Sequence, residues 1–179
     1  MWEELETDIK IYAQNVPLFG EGNKNAKILI LFDHPTKEMN DVRQIRVGKE
    51  YDVLKTIFEY VGIDIKDCYY TLLVKYYIPN LIEDSVRKES MKYLLKEIYL
   101  VDPDYIICIG EEIFNYIYKY YTKKREENKL LVDISQSIGN IYELKGMKIV
   151  PMYDMYKIKN LKKVEKQKIV DVLKGITKW

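Results

Sequence analysis

The feature that most constrains the fold is an unbroken apolar run near the start of the chain. Residues 26–36 read AKILILFDHPT, so the apolar character stops abruptly at Asp33, His34 and Pro35. A continuous run of this length predicts a strand buried on both faces, as in the parallel sheet of an α/β protein. Polar groups that follow such a strand lie where open α/β sheets bind ligands. We therefore predict a functional site at this turn, which holds the only histidine of the sequence.

Three more apolar segments predict further strands, at residues 68–77, 105–109 and 147–153. Helical spacing of apolar residues predicts helices between and around the strands, within residues 2–15, 50–62, 84–103, 110–118 and 160–174. Strands and helices alternate, which predicts parallel strands joined by right-handed crossovers. The predicted fold is α/β, a three-layer α/β/α sandwich with a central four-stranded parallel sheet. Residues 1–179 are predicted to form a single domain, since this length suits one core.

Two segments carry basic residues without a strand pattern. Residues 37–49 show no regular period and contain Arg43, Arg46 and Lys49, which predicts a loop that contacts phosphate or acts as a lid. Residues 118–129, YKYYTKKREENK, mix lysine with tyrosine, as expected of a surface that binds a nucleic-acid strand. For both segments the alternative is a solvated surface.

The composition limits the class of protein. The chain has 179 residues and a formal net charge of +1, so any nucleic-acid binding needs a local basic face. Cys68 and Cys108 lie in apolar runs, and with one histidine they are too few for a zinc site made of cysteine and histidine alone. The sequence shows no apolar run of membrane-spanning length and no signal peptide, which predicts a soluble cytosolic protein. A monomer without metal or other cofactor is expected.

In chain order, several motifs resemble those of the uracil-DNA glycosylase superfamily, in particular its iron–sulfur branch. Residues 16–31, VPLFGEGNKNAKILIL, are similar to the Gly-Glu-Gly-Asn-x-Asn-Ala segment that leads into that branch's first strand. Residues 32–36, FDHPT, fall on Gly-Glu-Ala-Pro-Gly, residues 46–48 on Phe-Val-Gly, and residues 70–75 on Ile-Thr-Asn-Val-Val-Lys. Residues 151–154, PMYD, lie where the branch has its His-Pro motif. The resemblance is collinear over nearly the whole chain and implies the glycosylase fold.

The resemblance also implies changes in the chemistry. The asparagine that reads the base falls on Leu72, which cannot hydrogen-bond a pyrimidine edge, and the stacking phenylalanine falls on Arg46. The histidine that stabilises the departing uracil anion falls on Asp154, whose charge would repel that anion. The family's iron–sulfur ligands are absent: no cysteine precedes Val16, and later ligand positions hold Tyr76 and Ser90. No iron–sulfur cluster is therefore expected.

A different activity survives these changes as a hypothesis. Several branches position the attacking water with the residue before the motif's proline, which here is His34, so His34 with Asp33 is a candidate water activator. Asp154 would favour the cationic sugar of an oxocarbenium-like transition state. The alternative is that His34 only bonds the backbone of its turn. The residues expected to line a base pocket are Phe32, Pro35, Arg46 and Leu72, and those expected to bind nucleic acid are Arg43, Lys49, Lys75, Lys157 and Lys159.

Three functions follow from these motifs. The first is hydrolysis of an N-glycosidic bond to a base other than ordinary uracil, with DNA as the partner. The second is a catalytically inactive scaffold that binds DNA or a partner protein. The third is binding of a nucleotide or another anion unrelated to repair, because one fold supports many functions.

Overall fold

A single mixed sheet forms the centre of the protein in the computed structural model, which describes residues 1–122 and 133–178. The strands of these described residues are β1 (Glu21–Gly22), β2 (Ile28–Phe32), β3 (Cys68–Leu72), β4 (Tyr105–Ile109), β5 (Tyr142–Leu144) and β6 (Met147–Met152). Their order in the sheet is β1-β3-β2-β4-β6-β5. The four central strands are parallel, which confirms the predicted sheet. The sequence prediction missed the two outer strands, β1 and β5, which pair antiparallel to their neighbours.

Helices cover both faces of the sheet, as predicted for a three-layer α/β fold. Those of the described residues are α1 (Trp2–Tyr12), α2 (Lys37–Val42), α3 (Gly48–Val61), α4 (Asp84–Val101), α5 (Glu111–Thr122), α6 (Ile134–Ser137) and α7 (Lys163–Ile176). Short 3₁₀ helices span Ile65–Asp67 and Met155–Asn160. None of the helices in this described part of the chain is both long and apolar enough to cross a membrane.

The predicted loop at residues 37–49 is wrong, because it contains α2 and the start of α3. The Thr36 side chain caps α2 by accepting a hydrogen bond from the Met39 amide at 3.2 Å, and Met39 is buried. The helix ends at Arg43, whose φ of 60° is left-handed. A helix of six residues with one buried side chain is too short to show an apolar period in the sequence.

The apolar run that begins with Ala26 forms the centre of the core. Every residue of β2 is buried, because β3 and β4 flank it in the sheet and helices cover both faces. Since the four central strands are parallel, their carboxyl ends meet at one edge of the sheet. After β3 the chain stays buried through Tyr76, and the Val74 amide donates to the carbonyl oxygen of Asp33 at 2.9 Å. This contact connects the segment after β3 to the turn after β2.

Candidate functional site

A crevice of about 320 Å³ lies at the carboxyl ends of β2, β4 and β6. The turn after β2 forms one wall, α2 and α3 another, and the start of α5 with the segment after β6 the third. Its lining residues are Phe32, Asp33, His34, Thr36, Met39, Glu50, Ile109, Gly110, Glu111, Glu112, Asp154, Tyr156 and Lys157. Asp33, His34 and Asp154, the three candidate catalytic residues, therefore lie around one cavity.

Asp33 and His34 form a hydrogen-bonded pair in the first wall. The imidazole Nδ1 of His34 lies 2.8 Å from Oδ2 of Asp33, while the His34 side chain is 37% exposed and Asp33 is buried. A carboxylate at Nδ1 favours the tautomer that carries its proton there, which leaves Nε2 as a hydrogen-bond acceptor. The pair has the arrangement of a general base whose orientation a buried acid fixes.

Arg87 holds this pair in place, and the sequence prediction missed it. From the first turn of α4, its Nε donates to Oδ1 of Asp33 at 2.9 Å and its Nη2 to Oδ2 at 2.7 Å, a bidentate contact. Arg87 also donates to Glu112 at 2.8 Å and to the Ile82 carbonyl oxygen at 3.0 Å. Asp33 and Arg87 are 54 positions apart, and no sequence pattern marks such a partner.

The ionisation of Asp33 follows from these contacts. Burial alone would raise its pKa, but hydrogen bonds from His34 and Arg87, with the charge of Arg87, outweigh burial and lower the pKa below its ordinary value. Asp33 is therefore an ionised acceptor that can stabilise an imidazolium ion at His34. The Arg87 side chain that pairs with this carboxylate is only 9% exposed.

The other two walls of the crevice carry Glu50, from α3, and Asp154, from the segment after β6. Burial, with the nearby charge of Asp154, raises the pKa of Glu50. Asp154 pairs with Lys157 at 3.3 Å and packs against the backbone of Gly110, where a Cβ atom would lie 2.4 Å from its Oδ1. Gly110 also has a φ of +108°, which favours glycine. The Asp154 side chain fits against this strand-to-helix turn only because Gly110 has no side chain.

The residues predicted for a base pocket do not all meet at the crevice. Phe32 lines it, but among the described residues Pro35, Arg46 and Leu72 are not part of its lining. Leu72 is completely buried in β3. Arg46 turns to Glu21, with Nε donating to Oε2 at 3.1 Å, and lies 5.5 Å from the centre of the Tyr70 ring. The guanidinium of Arg46 is thus placed against β1 and β3.

Lys75, which was predicted to contact nucleic acid, is instead inside the protein. Its side chain is fully buried, where it pairs with Glu97 and donates to Thr71 at 2.6 Å, so it cannot reach a phosphate. Arg43, Lys49 and Lys159 lie nearer the surface, and Lys157 is partly buried at the crevice. Of the predicted basic segment 118–129, residues 123–129 lie outside the described residues.

The two positions that the resemblance assigns to cluster ligands do not fit an iron–sulfur cluster. Ser90 lies 2.6 Å from the Tyr12 hydroxyl, and the rings of Tyr12 and Tyr76 meet edge to face at 5.8 Å. Burial raises the pKa of Cys68 to about 12, and Cys108 is fully buried in β4 with a raised pKa as well. A packed tyrosine cluster occupies this part of the fold, and both thiols are buried in strands and held in their neutral form.

A second cavity of about 360 Å³ adjoins the crevice. The two cavities share Glu111 and Glu112, and the second is completed by Asp84, Arg87, Asn115, Tyr116 and Lys119. Asn115 is 7% exposed, and its Oδ1 has no hydrogen-bond partner within the described residues. The described residues contain no group of three histidine, cysteine or acidic side chains placed to hold a metal ion.

The chain is similar to known proteins along most of its length. A sequence model of the uracil DNA glycosylase superfamily matches residues 19–174. The DNA polymerase of Bacillus phage SP01 is 36% identical over 139 residues, which cover 76% of this chain and 14% of the polymerase. The type-4 uracil-DNA glycosylase of Archaeoglobus fulgidus is 24% identical over 141 residues, which cover 75% of this chain and 67% of that protein. This chain therefore spans only a small part of the phage polymerase.

Proposed function

The chain belongs to the uracil DNA glycosylase superfamily, and from this premise we propose that it hydrolyses the N-glycosidic bond of a DNA base other than ordinary uracil. The observation that carries the proposal is the Asp33–His34 pair at the crevice, held by the bidentate contact of Arg87. A base flipped out of the stack would enter the crevice, as base-modifying enzymes require. The type-4 glycosylase of Archaeoglobus fulgidus supports this class of activity by similarity.

In this mechanism His34 activates the attacking water. Its Nδ1 proton donates to Asp33, so Nε2 accepts the proton of a water molecule that attacks C1′ of the sugar. Asp33 stabilises the imidazolium that forms, and Asp154 on the opposite side of the crevice stabilises positive charge that develops on the sugar. Because Arg87 anchors Asp33, the imidazole keeps its orientation between turnovers.

Ordinary uracil is a poor substrate for this crevice. Its departure places negative charge on the base, and Asp154 and Glu50 line the cavity in which that charge would form. Leu72, at the position that resembles the family's base-reading asparagine, is completely buried outside the crevice lining and offers no polar group to a pyrimidine edge. We expect DNA to be held at the rim by Arg43, Lys49, Lys157 and Lys159, whose cations pair with phosphate.

A second candidate is a non-catalytic domain that binds DNA or a partner protein. The similarity to a DNA polymerase, of which the matched segment is 14%, favours it, because a domain of a larger replication protein can act by binding alone. The ion pairs of Asp33 would then serve only to hold the turn after β2.

Base release from oligonucleotides distinguishes the two candidates. Single- and double-stranded oligonucleotides that contain uracil, deaminated purines or alkylated bases are incubated with the purified protein, and free bases are identified by mass spectrometry. We expect release of a base other than uracil, reduced by about a hundredfold or more in His34→Ala, the usual contribution of a general base. Gln167→Ala on α7 is the matched control and should leave the rate unchanged. No release of any base would contradict hydrolysis, and uracil release that depends on His34 would contradict the proposed specificity.

A further inference from the structure

Resting on the glycosylase function proposed above, we propose that the crevice selects a base that carries a formal positive charge through N-alkylation. The charges around the cavity lead to this substrate class. Five carboxyl groups line the crevice, against a single lysine or arginine in its described lining, Lys157. The five are Asp33, Glu50, Glu111, Glu112 and Asp154.

The crevice is not neutralised by its own ion pairs. Arg87 pairs with Asp33 and Glu112, and Lys157 pairs with Asp154. Within the described residues, Glu50 and Glu111 have neither an ion pair nor a side-chain hydrogen bond. Burial, and after it the repulsion from the charge of Asp154, raises the pKa of Glu50. A cation entering between these groups would relieve this repulsion.

An independent observation comes from the adjoining cavity, which shares Glu111 and Glu112 with the crevice. The buried Oδ1 of Asn115 in its lining lacks a hydrogen-bond partner among the described residues. A buried acceptor without a partner costs free energy, which a donor on a ligand would recover. Glu111 and Glu112 line both cavities, and the adjoining cavity adds this amide oxygen beside Arg87 and Lys119. A cation that also carries N–H donors would complement the carboxylates that the two cavities share.

A cationic base also fits the way the bond breaks. Water adds its oxygen to C1′ and gives one proton to Nε2 of His34, while the C1′–N bond breaks and its electron pair moves onto the base. That pair neutralises the positive charge of an alkylated base, which leaves as a neutral molecule without an acid to protonate it. The proton passes from His34 to solvent. The same step on uracil would create an anion beside Asp154, so the position that resembles the family's histidine needs no histidine for a cationic base.

Two isomeric bases test this selection without a difference in size. When joined to the sugar at neutral pH, 1-methyladenine is cationic and N6-methyladenine is neutral, although both carry one methyl group. Binding of the two nucleosides to His34→Ala, which should not turn them over, is measured by calorimetry. We expect 1-methyladenosine to bind about tenfold or more tightly, as a close charge pair in a partly buried site would produce. Equal binding would overturn the proposed selection.

A carboxyl variant and a cleavage assay complete the experiment. Glu50→Gln should reduce the preference for the cationic nucleoside severalfold, whereas Glu143→Gln, at an exposed position of β5, should not change it. The wild-type protein is also tested for base release from oligonucleotides that contain each base. Release of neutral bases but not of 1-methyladenine would overturn the charge selection while the glycosylase function stands. Absence of release from any oligonucleotide would overturn the glycosylase function, whereas the charge selection is decided by the binding of the two nucleosides.

Discussion

Two carboxyl groups of one crevice have pKa values shifted in opposite directions. Asp33 keeps its charge because Arg87 and His34 donate three hydrogen bonds to it, which outweigh its burial. Glu50 has no such donors among the described residues, and burial beside Asp154 raises its pKa. Asp33, which has donors, can orient the imidazole of His34, whereas burial destabilises the charged form of Glu50, which has none.

The raised pKa of Glu50 predicts a pH-dependent cost in stability. Because the folded pKa lies above the unfolded one, the folded state binds more protons between the two values, and stability falls as the pH rises through that window. Glu50→Gln removes the charge, so we expect a higher melting temperature than that of the wild type at pH 7. The difference should narrow as the pH falls toward about 4, the ordinary value for glutamate.

The control for this prediction is Glu143→Gln, an exposed substitution on β5 that also removes one negative charge. It should show no such pH-dependent gain. An increase for Glu50→Gln of the same size at both pH values would mean that packing, and not ionisation, accounts for the effect.

At the level of elements, a buried polar network joins β3 to α4. Glu97 of α4 accepts from the Tyr69 hydroxyl at 3.0 Å and from the Thr71 hydroxyl at 2.8 Å, and it pairs with Lys75. Burial lowers the pKa of Lys75, opposed by the charge of Glu97. The network holds the segment after β3 beside the turn after β2. Because Lys75 and Glu97 are both buried away from water, each charge is stabilised mainly by the other.

Removing one partner of the Lys75–Glu97 pair should reduce the free energy of unfolding more than replacing both partners with neutral residues. Lys75→Met leaves the Glu97 carboxylate without a cation and should reduce the free energy of unfolding by about 3–5 kcal/mol. Adding Glu97→Gln should recover a large part, since an amide can still accept from Tyr69 and donate to Thr71. Urea unfolding of the two single variants and the double variant measures the coupling.

The exposed pair between Lys96 and Asp8 provides the comparison, at 2.8 Å between Nζ and Oδ2. Lys96→Met should change the unfolding midpoint little, because solvent screens that pair. If the losses from Lys75→Met and Glu97→Gln simply add in the double variant, the buried pair is not coupled and the argument from burial fails.

Across the whole molecule, the charges are unevenly distributed although the formal net charge is only +1. Carboxyl groups line the crevice, while Arg43, Lys49 and Lys159 belong to or adjoin the elements around it. Such a separation would hold a phosphate backbone at the rim and present a base to the acidic interior. We therefore expect the rim, and not the net charge, to decide whether DNA is bound.

We predict weak DNA binding that weakens as salt increases. The affinity for a short single-stranded oligonucleotide should fall between low and moderate salt. The double variant Lys49→Ala/Lys159→Ala should reduce the log–log salt slope by about 1.4, about 0.7 for each phosphate of a single strand that no longer pairs with a cation. Lys27→Ala, beyond the amino end of β2 and away from the crevice, is the matched control. Fluorescence anisotropy supplies the affinities, and an affinity independent of salt would exclude pairing with phosphate.

The order of the central strands and helices could be read from the sequence. Buried strands need apolar residues along their whole length, and helices need them at a period near four, so both leave local patterns. The sequence prediction missed the antiparallel strand β5, although the sequence carries a signal for it. Lys145 and Gly146 form a two-residue turn with positive φ between two segments of alternating residues, as in a β-hairpin. The short α2 left no usable period.

The sequence by itself determined the fold class and the buried strand that precedes the candidate site, because hydrophobic burial is encoded in residues that are neighbours along the chain. Only the tertiary structure decided which partner each charged group has. Arg87 reaches Asp33 across 54 positions, Lys75 lies inside the protein with Glu97, and Glu50 faces the crevice. The residue type in the sequence is the same whether the charged side chain lies in water, in a buried ion pair or in a binding site. Its chemistry is set by the atoms that folding brings within a few ångströms of it.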